Sequence, residues 1–172
     1  MRQRGTDPCG ETSGTFLISA ESGLIAGNAK VIHASFRLDE GEAGVVFNYV
    51  DIDNWWRVSL SAIDDCVSLH SRRAGVYKLE RSEGKSLRTD TFIDVFIAFD
   101  SMDNVNVTVD FDDIIKRKNV DNLKNGGIRV GFYATAANAN LYQTLVVAEL
   151  SQRQRITPPT PAPSNYSPTT LY

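Results

Sequence analysis

What this chain lacks narrows it before any motif is sought. Of its 172 residues only two are cysteine, Cys9 and Cys66. That is too few for a disulfide-built scaffold or for a structural zinc site, so no metal is expected. Only two are histidine, His33 and His70, and no nucleophile–base–acid arrangement can be argued from them. No apolar run approaches the roughly eighteen residues of a membrane-spanning helix, so no membrane partner is expected. Basic residues do not predominate: 18 Lys and Arg stand against 21 Asp and Glu, for a formal net charge of −3. A nucleic-acid backbone demands a basic surface, so nucleic acid is not an expected partner either. The first residues, MRQRGTDPCGE, carry two arginines with no apolar segment behind them, unlike a secretory leader. Three readings of location remain: retention in the cytosol, exit by lysis as part of a virion or similar particle, or a leader outside this sequence. Proline is missing between Pro8 and Pro158. Sustained helical periodicity is missing throughout.

What is present is alternation, and it is strongest from Gly44 to Ala62 (GVVFNYVDIDNWWRVSLSA). This stretch reads as a β-hairpin about the tip Asp51-Ile52-Asp53-Asn54. Asp and Asn side chains bond nearby backbone amides, so such a tip is expected to be an Asx-stabilised turn. Side chains alternate with period two along a strand. The expected register sets Val45 opposite Leu60, Phe47 opposite Val58 and Tyr49 opposite Trp56 on a core face. Val46 with Ser59, Asn48 with Arg57 and Val50 with Trp55 fall on the other face.

Further strands are expected at Thr15 to Ala20, Lys30 to Leu38, Cys66 to Ser71, Val76 to Arg81, Phe92 to Phe99, Val105 to Phe111, Ile128 to Ala134 and Leu141 to Leu150. Ser82-Glu83-Gly84 reads as a turn. Phe92 to Phe99 (FIDVFIAF) reads as central and buried on both faces. Asp100 to Asn104 reads as a second Asp/Asn tip. About ten short strands with Gly, Asp or Asn at their junctions imply an all-β fold, an antiparallel two-sheet sandwich. With 42% hydrophobic residues the chain can bury a sizeable core. Three regions are expected: an irregular arm at 1–14, the sandwich at 15–150, and an extended Pro-rich tail at 151–172.

Around the central hairpin the sequence resembles the concanavalin A-like lectin/glucanase superfamily of jelly rolls, including laminin-G-like modules. The matching pattern is Gly44-Val45-Val46-Phe47-Asn48-Tyr49, the Asp51–Asn54 tip, then Trp55-Trp56-Arg57-Val58. A second block runs from Phe92 through Val109-Asp110 to Gly127-Ile128-Arg129-Val130-Gly131-Phe132. The resemblance covers about Thr15 to Leu150 and implies a jelly-roll topology. Phe111 departs from the pattern, since many relatives carry a turn glycine there.

The resemblance does not by itself choose an activity. Members that cleave polysaccharide carry clustered carboxylates alternating along one strand, because a retaining glycosidase needs two on one face at about 5–5.5 Å. Here Asp110-Phe111-Asp112-Asp113 is the nearest run, at a strand end, so no catalytic residue, no cofactor and no enzymatic role are expected. Asp51, Asp53 and Asn54 lack the glycine and distal glutamate of an EF-hand and read as a self-capped turn rather than a calcium site.

Asn48, Trp55 and Arg57 share the non-core face and are the candidate ligand-binding residues. An indole beside hydrogen-bonding groups suits a sugar ring. The competing readings are a cation–π pair covering the sheet, or a patch covered by a partner subunit. Cys66, beside Val67 and Leu69, reads as a small buried thiol, with a Cys9–Cys66 bridge as the alternative. The tail prefers an extended left-handed helix and cannot join a sheet ladder. Pro158, Pro159, Pro161, Tyr166, Leu171 and Tyr172 are its candidate contacts to other subunits. The functional expectation is thus a non-enzymatic lectin-like module that decorates a larger assembly, plausibly a phage or virus particle, through its tail. A carbohydrate-binding module is the first alternative and a glycoside hydrolase the second.

Overall fold

A computed structural model describes residues 14–18, 30–38, 41–100, 102–120, 129–135 and 141–149. It contains strands β1 (Thr15–Ile18), β2 (Lys30–Arg37), β3 (Glu42–Asp51), β4 (Asn54–Ser61), β5 (Cys66–Arg73), β6 (Val76–Gly84), β7 (Phe92–Phe99), β8 (Asn104–Val109), β9 (Asp112–Asn119), β10 (Arg129–Ala134) and β11 (Leu141–Glu149). They form a six-stranded sheet, β1-β10-β3-β4-β5-β6, and a five-stranded sheet, β11-β2-β7-β8-β9. Every pairing is antiparallel. The expected all-β sandwich is what forms.

Alternation explains the layering. Val45, Phe47, Trp56, Val58, Leu60, Val67 and Leu69 from the six-stranded sheet meet Ile32, Ala34, Phe36, Ile93, Val95, Ile97, Phe99, Val105, Val107 and Val109 from the other. Phe47 and Phe99 touch edge to face across the layers, with ring centroids 5.4 Å apart. At one margin the edge strands β6 and β9 are clasped through Glu80. Its carboxylate accepts from Ser71 Oγ at 2.9 Å and Lys78 Nζ at 2.9 Å, and pairs with Lys118 Nζ of β9 at 3.2 Å. Lys85 and Asp112 form a second ion pair along the same margin.

Both Asp/Asn tips are self-capped. Asp51 Oδ1 accepts from Asp53 N and Asn54 Nδ2. Asp100 accepts from Met102 N, Asn104 N and Asn104 Nδ2.

Three local expectations fail. The hairpin pairs Val45 with Val58 and Phe47 with Trp56, not with Leu60 and Val58, while Asp51 pairs with Asn54 at the tip. Between those pairs lie Asn48, Tyr49 and Val50 on β3 but only Trp55 on β4. The bulge is seeded by Asn48, whose φ of 50° lies in the left-handed region that Asn tolerates. It turns Tyr49 away from the core and into the outer aromatic cluster, and it leaves Val50 exposed. Ser82-Glu83-Gly84 is not a turn but the end of β6, opposite Ser68, Val67 and Cys66. Phe92–Phe99 is central but buried on one face only, with Asp94, Phe96 and Ala98 half-buried on the other. Beyond these three differences, the chain after Phe111 continues as a full strand, β9, joined to β8 by a two-residue turn, Asp110-Phe111.

Candidate functional site

The outer face of the six-stranded sheet is built by the same alternation that builds the core. Its rows follow from the register. Gly44, Ser59 and Ser68 lie side by side, then Val46, Arg57 and His70, then Trp55 and Arg72. Toward the opposite end, Glu42, Ser61 and Cys66 make the last row. A face of this composition would ordinarily meet water. Instead Arg57 is 2% exposed, Ser59 1%, Ser68 1% and His70 0%.

Aromatic rings account for one end of this burial. Val46, Trp55 and Tyr133 form a second apolar cluster with Phe16, Ile18, Tyr49 and Tyr77. Phe16 of β1 touches Tyr49, Trp55 and Tyr133. The Arg57 guanidinium carbon sits 3.8 Å from the Tyr133 ring centroid and 5.5 Å from that of Trp55. Trp55 Nε1 donates to Ile52 O at 3.0 Å, which fixes the indole.

The polar groups are unevenly matched. Arg57 Nη2 lies 3.5 Å from Glu42 Oε1, near enough to attract but not aligned to donate. Arg57 Nε, Arg57 Nη2 and Ser59 Oγ are buried without a hydrogen-bond partner. His70, by contrast, is held at both nitrogens: Nε2 to Ser68 Oγ at 2.6 Å, and Nδ1 to the Tyr77 hydroxyl. A neutral imidazole has one donor and one acceptor nitrogen, so one partner hydroxyl donates and the other accepts. Burial, helped by the nearby Arg57 charge, pushes the His70 pKa down to about 3, so the ring is neutral. Glu80, on the core side of β6, is held in its charged form instead. Burial alone would raise its pKa, but hydrogen bonds from Lys78, Ser71 and Lys118 outweigh that and lower it.

The expected site residues thus divide. Trp55 and Arg57 share the outer face and touch, and Asn48 sits at the bulge beside them. All three are buried, at 5%, 2% and 6% exposure, so they do not form the open platform expected. Sequence reasoning passed over Glu42, Ser59, Ser68 and His70. Their signal was the unbroken polar spacing of Arg57-Ser59-Ser61 and Ser68-His70-Arg72 on adjacent strands. Pro158, Pro159, Pro161, Tyr166, Leu171 and Tyr172 lie outside the described residues. The near-carboxylate run is spent on local bonds: Asp110 Oδ1 accepts from Asp94 N, Asp112 pairs with Lys85, and Asp113 accepts from Thr108 Oγ1. Cys66 is not the free thiol expected: it is disulfide-bonded.

No family model matches the sequence, and no curated protein matches it. Solved structures do match its fold. The carbohydrate-binding module CBM66 from Bacillus subtilis superposes with a TM-score of 0.63 at 13% identity, over 80% of this chain and 83% of that one. Chicken galectin 2 gives 0.58 at 6% identity, over 79% and 100%. Xenopus laevis galectin-Va gives 0.57 at 13% identity, over 80% and 97%. These are lectin-type jelly rolls of the concanavalin A-like kind, and at such identities the likeness concerns the fold alone. It does not single out laminin-G-like modules.

Proposed function

We propose that this chain is a non-catalytic carbohydrate-binding module that holds its sugar on the outer face of the six-stranded sheet, at Asn48, Trp55 and Arg57. The observation that carries this reading is the set of buried donors left open there: Arg57 Nε, Arg57 Nη2 and Ser59 Oγ. A buried polar group without a partner costs about 1–3 kcal/mol, and more when charged. Sugar hydroxyls can accept from a guanidinium edge while the ring's C–H face lies on an aromatic side chain. The fold likeness raises the prior by analogy only, the named neighbours being a carbohydrate-binding module and galectins. Because the three residues are buried, a sugar reaches them only where the outer face opens.

The test is a glycan-array screen of the wild-type protein under oxidising and reducing conditions, followed by calorimetric titration of hits. Arg57→Met and Trp55→Phe are expected to weaken binding at least roughly tenfold, the equivalent of about 1.4 kcal/mol, while keeping a cooperative melt. No glycan bound in either condition, or affinity unchanged in both variants, overturns the reading. Attachment to a larger assembly would run through tail residues outside the described ones, and the sugar reading is the one argued from described residues.

A further inference from the structure

Asn48, Trp55 and Arg57 are buried, so a sugar needs a way in, and the outer face is less covered at the end that carries the β3–β4 tip. We infer that this end selects an acidic oligosaccharide, one bearing carboxylate or sulfate, with Arg72 and Arg129 as the side chains that read its charge. The inference rests on the sugar reading for its ligand, while the preference for charge comes from how the arginines are placed.

Three observations carry it. First, one row of side chains crosses the sheet there. Arg129 pairs with Tyr49, Trp55 with Arg72 and Arg72 with Tyr77. Tyr49, Trp55 and Tyr77 belong to the outer aromatic cluster. Unlike Trp55 and Arg57, the residues Tyr49, Arg72, Tyr77 and Arg129 are only half-buried. From β10 to β5 there are three strand spacings, ~14 Å at about 4.8 Å each. That span exceeds one sugar ring and suits a short chain of them, with an arginine toward each end and aromatic rings between. Second, donors stand open along the row. Arg72 Nε is buried without a hydrogen-bond partner, as are Arg57 Nε and Nη2 in the adjoining row. Arg129 donates to Val50 O at 3.3 Å and lies 5.6 Å from the Tyr49 ring centroid. Among the described residues it meets no carboxylate.

Third, the charges do not balance. Glu42 Oε1 lies 3.5 Å from Arg57 Nη2, and Asp53 Oδ1 lies 3.4 Å from Arg72 Nη2. Asp51, the other carboxylate of the tip, accepts from Asp53 N and Asn54 Nδ2. Three guanidinium groups therefore share two carboxylates, and the excess on this face is positive. Asp53 is half-exposed, so it can turn to water when a ligand anion takes its place at Arg72. A neutral sugar would use the rings but leave the positive excess unanswered. An acidic group on the sugar answers it with charge-assisted bonds, which are roughly twice as strong as neutral ones.

The experiment screens the full chain on an array that holds each glycan in charged and neutral forms: uronic acid and methyl ester, sulfated and desulfated, with and without terminal sialic acid. Hits are titrated by calorimetry. The charged form of a bound glycan is expected to bind at least roughly tenfold tighter than its neutral counterpart. Its affinity should fall several-fold as salt is raised, since screening acts on exposed charges. The pairs that respond tell carboxylate from sulfate. Arg72→Gln and Arg129→Gln should each weaken the charged form several-fold, and the comparison of charged with neutral forms on wild type stands even if a variant fails to fold. Neutral forms bound as tightly as charged ones, or charged-form affinity unchanged in both variants, overturn the acidic class and leave the sugar reading standing. Poly-glutamate bound as tightly as the best acidic glycan also overturns it, because charge alone would then suffice. No glycan bound in any form sinks the sugar reading and this inference with it.

Discussion

Acid should weaken this fold well above the range where carboxylates titrate, and His70 is the reason. In the folded protein its ring is sealed between Ser68 and Tyr77 beside the Arg57 guanidinium, with its pKa pushed down to about 3. In the unfolded chain it returns to about 6.5. Below that value the unfolded state gains a proton that the folded state refuses, so the contribution of His70 is complete above pH 6.5 and is lost progressively toward pH 3. Each unit of pH costs about 1.4 kcal/mol, so roughly 2 kcal/mol disappears between pH 6.5 and 5. Against a total stability of about 5–15 kcal/mol that is a readily measured loss. Urea unfolding from pH 7.5 to 5 would show it as a falling midpoint at constant slope. His70→Gln, which keeps one donor and one acceptor but does not titrate, should flatten the profile. A His70 ring that titrates near pH 6.5 by NMR in the folded protein, or a profile unchanged in His70→Gln, refutes the argument.

Other substitutions separate the parts of the design. Phe111 has a φ of 67°, follows Asp110 at 48°, and is 82% exposed; Phe111→Gly should raise stability by about 1 kcal/mol, seen as a higher melting temperature, because it removes left-handed strain and forfeits little burial. Glu80→Gln should lower stability by about 1–3 kcal/mol by discharging the clasp between β6 and β9. Since the pKa of Glu80 is lowered on folding, its contribution is present above the ordinary carboxylate range and lost below it. Wild type should therefore lose more stability than Glu80→Gln in denaturant titrations carried below about pH 4.5.

Much of the architecture could be read from alternation and turn chemistry, and the exceptions have identifiable causes. The Phe47/Trp56 facing was legible because both rings fall on the apolar phase of their strands, and the Asp51 and Asp100 caps because Asx turns are local. The bulge at Asn48 was not, since the apolar spacing of Val45, Phe47 and Tyr49 continues through it, whereas in the structure the bulge breaks that alternation at Tyr49 and shifts the two strands by two residues. Ser82-Glu83-Gly84 looked like a turn by composition, but its pairing with β5 overrides that. At the site, the contact between Trp55 and Arg57 was visible from period two. Their burial was not, because Phe16 and Tyr133 arrive from strands far away in sequence. Nothing in the neighbourhood of Cys66 distinguished a bridged cysteine from a buried thiol.

Arg57 itself argues that this face was not shaped for stability. Burying a guanidinium costs several kcal/mol, and a pair recovers it only with well-aligned bonds on the remaining donors. Here the nearest carboxylate oxygen is 3.5 Å away and misaligned, and two nitrogens have no acceptor. Stacking on Tyr133 at 3.8 Å returns about 2 kcal/mol of that. A methionine in the same slot would pack against the same rings without the debt of desolvation, so the folded state gains little from keeping the charge. The Nε and Nη2 atoms form one edge of the guanidinium, a paired set of donors suited to two oxygens on one molecule. An arginine held at a net cost, with that edge open and its ring contacts fixed, makes most sense when a ligand supplies the missing acceptors.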